Sequence, residues 1–221
     1  MMREILILLS KELRLEWYRK YAFNGILLYI VATVFVAYLS FNLKKSQLSP
    51  LTWNALFWII LLFTAISAIA KSFVQESESR HYYYYQLVRP ESVIVSKILH
   101  NSLLMSVMSA IGLPIYIVLL GNPVQDMPFF LLNVVLGSIS FASALTLVSA
   151  IAAKAQSSGT LMAVLGFPIM LPMIMLLIKV SKNAIDGLAR SQSQNELLML
   201  GAINLIVLAV SFLLFPFLWR S

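Results

Sequence analysis

The sequence predicts an all-α membrane protein, with six transmembrane helices preceded by an N-terminal amphipathic interfacial helix. Three observations carry that prediction. Of 221 residues, 60% are hydrophobic and only 11% are charged, and the mean hydropathy is +0.87; a soluble domain carries roughly a quarter charged residues. The apolar residues fall in long blocks, each close to the ~20 residues a helix needs to cross ~30 Å of hydrocarbon. The alternating ~10-residue pattern of a transmembrane barrel is absent.

Residues 1–20 are too polar to span. Met2, Ile5, Leu6, Leu9, Leu13 and Trp17 recur at helical spacing on one face, with Arg3, Lys11 and Arg14 opposite. This is the pattern of a helix lying in the membrane surface with Trp17 and Tyr18 at headgroup depth, or of a short helix packed on a partner. Glu16 and Lys20 interrupt the stripe, and Ile7, Leu8 and Leu15 fall outside it. Six spans follow at about 21–43, 51–70, 98–121, 128–153, 159–178 and 197–218, giving one transmembrane domain over 1–221. Gly121-Asn122-Pro123 makes a tight turn between the third and fourth, and Lys179 to Glu196 form a polar stretch between the fifth and sixth. A cleavable signal peptide is not expected, because residues of both charge signs precede a first span too long for an h-region.

Between the second and third spans lies the longest polar interruption, residues 72–97, SFVQESESRHYYYYQLVRPESVIVSK. It holds Glu76, Glu78, Arg80, Arg89 and Glu91, with Lys71 and Lys97 at its edges. One charge at the centre of a membrane helix costs roughly 2.5–3.5 kcal/mol, so this loop belongs in water. Arg89-Pro90-Glu91 reads as a helix start, since proline at the first helical position loses no hydrogen bond and Glu91 complements the dipole. That helix runs through Lys97 into the third span. Upstream, a separate short helix over 75–88 would carry Tyr82 to Tyr85, whose broad apolar faces and polar tips suit a protein contact or an interfacial aromatic belt.

Eleven Lys and Arg (Arg3, Lys11, Arg14, Arg19, Lys20, Lys71, Arg80, Arg89, Lys97, Lys154, Arg220) lie on the side of the termini and the 72–97 loop. Lys44, Lys45, Lys179, Lys182 and Arg190 lie on the other. By the positive-inside rule, both termini and that loop are cytoplasmic. The same distribution explains the net charge of +7 without nucleic acid, because the basic residues flank spans and form no single patch.

Enzyme chemistry finds no footing in this sequence. Cysteine is absent, which removes disulfides, thiolate metal sites and cysteine nucleophiles. All nine acidic residues and every Arg fall outside the assigned spans, where a proton-coupled transporter or a membrane metalloenzyme would need them. The two histidines, His81 and His100, have no metal-site spacing; His100 could touch haem iron or sit at the membrane interface. No P-loop motif occurs, so any ATP is hydrolysed by another polypeptide. The fifth span, GTLMAVLGFPIMLPMIMLLI, places Pro168 and Pro172 four apart just after Gly166. Each proline removes a backbone hydrogen bond, so the helix is expected to bend or open, as a packing kink, a gating hinge or a pathway lining. Gly137, Ser138, Ser140, Ala142, Ser143 and Ala144 in the fourth span allow close approach of another helix.

An interfacial helix, six spans and a structured loop after the second span resemble the ABC-2-type transporter permeases. The pattern E-x-E, apolar pair, P-x-S and K is matched by Glu76, Glu78, Leu87-Val88, Pro90, Ser92 and Lys97. Within that group the chain is similar to the haem exporter B (CcmB) family, on its length, its start KELRLEWYRK, LVRPESVIVSKILHN and LGFPIMLPMIMLLI. The resemblance implies a non-ATP-binding permease subunit of the bacterial inner membrane, serving haem export or delivery in c-type cytochrome maturation. Its implied partners are an ABC ATPase subunit, a haem-handling membrane protein, a haem chaperone, membrane lipid and a second copy of itself. It implies no cofactor bound directly, with haem as the ligand handled or transported. The loop would meet the ATPase through Glu76, Glu78, Pro90 and Lys97, with Arg80 and Tyr83 on the same stretch. The four tyrosines depart from the family pattern. An ABC-2 permease for a lipid, polysaccharide or drug, or a membrane scaffold without transport, shares the same span count.

Overall fold

A computed structural model describes residues 1–18, 20–43, 48–69, 72–73, 88–154 and 158–220. Seven α-helices account for nearly all of them: α1 (Met2–Tyr18), α2 (Lys20–Leu43), α3 (Pro50–Ile69), α4 (Pro90–Leu120), α5 (Met127–Lys154), α6 (Ser158–Ile185) and α7 (Gln194–Arg220). A 3-10 turn over Arg190–Ser193 leads into α7, and no strand occurs among the described residues. Helices α2 to α7 are each long and apolar enough to cross a membrane, so the chain is a multi-pass membrane protein.

The helix ends follow local chemistry. Ser49 precedes Pro50, and its hydroxyl accepts the Thr52 amide at 3.2 Å, an N-cap with proline in the first turn. Asp126 does the same for α5, accepting the Phe129 amide at 3.2 Å. Helix α4 starts at Pro90 and ends at Gly121, whose N–H still bonds the Ile117 carbonyl at 2.9 Å and whose φ of +82°, open to glycine, turns the chain out of the helix. At 31 residues α4 is about 46 Å long, well beyond the hydrocarbon thickness.

Helix α5 is the axis of the bundle, packing against α3, α4, α6 and α7. Every residue over 140–150 is buried. Its small side chains admit close neighbours, as their spacing suggested. At Gly137 an added Cβ would lie 2.5 Å from the Trp58 ring and 3.1 Å from Leu177. Ser138 meets Ser109 of α4 at 3.2 Å, and Ser140 accepts from Asn204 of α7 at 2.7 Å.

Helix α6 carries both prolines of the fifth span. It is helical without interruption from Ser158 through Pro168 and Pro172 to Ile185, so neither proline opens it. Each proline costs only its own N–H, which strands the carbonyls of Val164 and Pro168 while the surrounding turns persist. The helix also continues into the polar stretch: Lys179 and Lys182 are exposed, while Val180, Ser181, Ala184 and Ile185 are buried.

Candidate functional site

Most of the candidate contact set, namely Glu76, Glu78, Arg80 and Tyr83 together with the other three tyrosines, falls in 74–87 and lies outside the described residues. The two ends of that segment are described, and they meet. Ser72 and Phe73 close the turn after α3, with the Ser72 amide donating to the Ile69 carbonyl at 2.8 Å. Val88 and Arg89 lead into Pro90 at the start of α4, where the Ser92 amide bonds the Arg89 carbonyl at 3.0 Å.

Two turns further on, Lys97 joins both ends. The sequence put it at the wet edge of the loop, but the structure buries it to 4% exposure. Its Nζ donates to the Ser72 carbonyl at 2.8 Å and stands 4.8 Å from the centre of the Phe73 ring. The same ammonium lies 3.7 Å from Glu12 Oε1 on α1, and Lys11 approaches that oxygen at 2.9 Å. A buried ammonium is tolerated when paired and hydrogen-bonded, and here it has both. Burial alone would raise the Glu12 carboxyl, but Lys97 and Lys11 outweigh it, with a smaller contribution from His100. Glu12 is thereby held below the ordinary glutamate value of 4.5.

Further polar side chains surround this pair. Asn101 Nδ2 donates to Thr146 Oγ1 of α5 at 2.8 Å and to Ser72 Oγ at 3.2 Å. His100 is 7% exposed with Nδ1 3.3 Å from Asn101 Oδ1, so its ring sits inside the bundle and not at an open interface. No cluster of three metal-ligating side chains exists among the described residues. Nearer the start of α4, Ser92 Oγ donates to Glu4 Oε2 at 2.9 Å. That bond is the chief reason the Glu4 carboxyl titrates low.

These contacts revise the reading of α1. The line turned to the protein is Glu4, Ile5, Leu8 and Glu12, and it includes Leu8, which the apolar stripe left out. Met2, Leu6 and Leu13 of the predicted stripe stay exposed. The cause is that the first turns of α4 offer Ser92 and Lys97 as partners. Leu8 also joins a small apolar cluster with Phe73, Val93, Ile94, Ile98, Ala150, Phe215 and Trp219. Phe215 lies 5.5 Å from Phe73 and 5.3 Å from Trp219, ring centre to ring centre. The starts of α1 and α4, the end of α7 and the turn after α3 therefore share one end of the bundle.

The fifth-span candidates lie elsewhere. Gly166 faces α5, with Leu145 at ordinary contact distance from where a Cβ would stand. Pro168 and Pro172 are exposed on a face with Val164, Phe167, Leu171 and Met175. The fold thus groups Pro90, Lys97 and His100 and keeps Gly166, Pro168 and Pro172 apart from them. Glu12, Ser72 and Asn101 escaped sequence reasoning. Nothing local marked Glu12, which is one of three acidic residues, with Glu4 and Glu16, in the N-terminal amphipathic segment.

A family model described as CcmB protein matches residues 3–218, nearly the whole chain. Neither the curated proteins nor the solved structures contain a significant match.

Proposed function

The chain belongs to the CcmB protein family, and from that premise we propose that it is the membrane-spanning subunit of an ATP-driven complex. The complex exports or delivers haem for c-type cytochrome maturation, and an ABC ATPase partner supplies the energy. The whole-length family match carries this reading. The sequence supports it by lacking a P-loop, and the fold supports it by tying both ends of the 74–87 segment to one buried ammonium. A partner that moves that segment moves Lys97, and through it the base of α4.

On this reading Glu76, Glu78, Arg80 and Tyr83 meet the ATPase, and Pro90 and Lys97 pass its displacement inward. The termini and this segment face the cytoplasm of the bacterial inner membrane. Helix α1 lies at the membrane surface, with Met2, Leu6 and Leu13 towards lipid. The exposed face of α6 around Pro168 and Pro172 borders lipid or a second copy of the chain, and Gly166 sets the approach of α6 to α5. His100 belongs to the polar network. Haem is the molecule handled, in company with a haem-handling membrane protein and a haem chaperone on the far side.

Co-purification from native membranes tests the proposal. An ATPase recovered together with cytochrome c assembly factors is the expected result, and Glu78→Ala or Pro90→Ala should lower ATPase recovery or its stimulation. Recovery of a lipid-synthesis partner instead would overturn it.

A further inference from the structure

Helix α1 exposes Met2, Leu6 and Leu13 on one side, yet its best-defined polar contacts are to α4. Glu4 holds Ser92 at 2.9 Å, Glu12 holds Lys97 at 3.7 Å, and Leu8 fills the space between them in the apolar cluster. Residues 4, 8 and 12 recur every four positions, so one side of α1 lies along the first two turns of α4. Those turns begin at Pro90, where the chain emerges from the proposed ATPase-contacting segment. Leu8 also touches the cluster that contains Phe215 and Trp219 at the end of α7.

We infer that α1 is a third arm of the coupling element, with Glu12 as its positioning residue. Displacement of the 74–87 segment passes through Lys97 into α1 as well as into α4, and α1 hands part of it to the end of α7. The inference rests on the functional reading above and adds to it a residue and a helix that the loop pattern does not contain. The physical argument is connectivity. Lys97 has donors enough to serve Ser72 and Glu12 together, so the turn after α3, the start of α4 and α1 cannot move independently while the ammonium stays paired. Leaving it unpaired in a buried setting is the costly alternative.

The experiment uses the full complex in membrane vesicles and compares the unmodified chain, Glu12→Gln, Glu12→Lys and Glu12→Lys with Lys97→Glu. Three quantities are read for each: ATPase co-purified, ATP turnover in the vesicles, and c-type cytochrome formed in cells. Glu12→Gln keeps the shape and removes the charge. It should retain the ATPase at the unmodified level while cytochrome formation per ATP falls by about three- to thirtyfold. Glu12→Lys sets two ammonium groups against each other and should fall further. The reversed pair should recover several-fold over Glu12→Lys alone, though not fully, because a carboxylate at 97 cannot donate to Ser72. Recovery on reversal is not expected of a residue that merely fills space.

Normal coupling in Glu12→Gln overturns the inference, and so does a reversed pair no better than Glu12→Lys. Loss of the chain itself in both single variants also overturns it, since Glu12 would then serve folding alone. If the unmodified chain retains no ATPase, the functional reading fails and the inference fails with it. If it retains a coupled ATPase and the Glu12 variants behave normally, only the inference fails.

Discussion

The two ends of the bundle are held by different chemistry. At the end shared by the termini, an ammonium and a carboxylate stand at the centre of the contacts. At the opposite end the work falls to neutral groups on α6. Asn54 of α3 donates to the Ile178 carbonyl at 2.9 Å, and Asn133 of α5 donates to the Leu177 carbonyl at 2.9 Å and to Ser181 Oγ at 3.0 Å. Trp58 Nε1 donates to the same Ser181 Oγ at 2.6 Å. Amide and indole donors have fixed directions and bind one or two acceptors, so they set α6 against α3 and α5 in a single arrangement. A lysine is a point charge on a four-carbon stem: while it stays paired its partners move together, and the pairing itself can be broken and remade without a fixed bond direction. One end is thus built as a fixed platform, and the other as a joint that can be remade. Substitutions on the platform should cost stability, whereas those at the joint should cost coupling.

The largest expected effect is on the platform. Gly137→Ala sets a methyl group 2.5 Å from Cζ3 and 2.6 Å from Cη2 of Trp58, a rigid ring that is fully buried. Moving the ring breaks its bond to Ser181, so the change should destabilise by about 1–3 kcal/mol. The thermal unfolding midpoint in detergent measures it, and an unchanged midpoint would mean that the platform yields, which would break the comparison. Asn133→Ala comes next. Two donated bonds are lost next to α6, and interhelical hydrogen bonds in membranes average about 0.6 kcal/mol each, so a loss on the order of 1 kcal/mol is expected. Asn133→Ala combined with Trp58→Phe should cost less than the sum of the two, because both donors act on Ser181.

The sequence made much of this frame legible and left its fastenings obscure. Span number followed from apolar run length, and the start of α4 followed from Pro90 with Glu91. The platform was half visible: Asn54 and Asn133 stand in apolar runs, where an amide asks for a partner, but no local pattern says that the partners are carbonyls of α6. The joint was hidden for another reason. Lys97 and Glu12 are 85 positions apart, and each has an ordinary local reading, as a loop edge and as one charge on a surface helix. Only the packing of α1 on α4 makes them a pair. Of the two outcomes expected of the α6 prolines, bending or opening, opening did not occur: the helix runs on through Pro168 and Pro172, held at Leu177 and Ile178 by its neighbours.

A smaller effect separates the joint by its titration. The folded-state value of Glu12 is depressed, so its contribution is fully present above the ordinary 4.5 and is lost as pH falls through the lowered value. Lys97, Lys11 and His100 are the groups that act on this carboxylate. The difference in unfolding midpoint between the unmodified chain and Glu12→Gln should be largest above 4.5 and shrink away as pH falls from there through the lowered value. A difference that grows on acidification has the wrong sign for a carboxylate held ionised by lysines, and would remove the charge from the account of the joint.

The smallest effect belongs to a charged contact on the platform side, and it tests whether charge alone defines a joint. Arg190 Nε and Nη2 approach the two Asp126 oxygens at 2.7 and 3.0 Å, tying the turn before α5 to the turn before α7. The Arg190 hydrogen bonds are the main reason Asp126 titrates low. Arg190 is 61% exposed, however, so water and salt screen the pair. Asp126 is also the cap of α5, and asparagine caps about as well as aspartate. Asp126→Asn therefore removes the charge and keeps the cap. Its unfolding midpoint should drop slightly at low salt and match the unmodified chain at high salt, with cytochrome formation unaffected at either. Asp126→Ala, which loses the cap as well, should be lower at both salt concentrations. If Asp126→Asn uncoupled cytochrome formation without moving the midpoint, this end too would be a joint, and the distinction would rest on where the charges sit and not on how deeply Lys97 is buried.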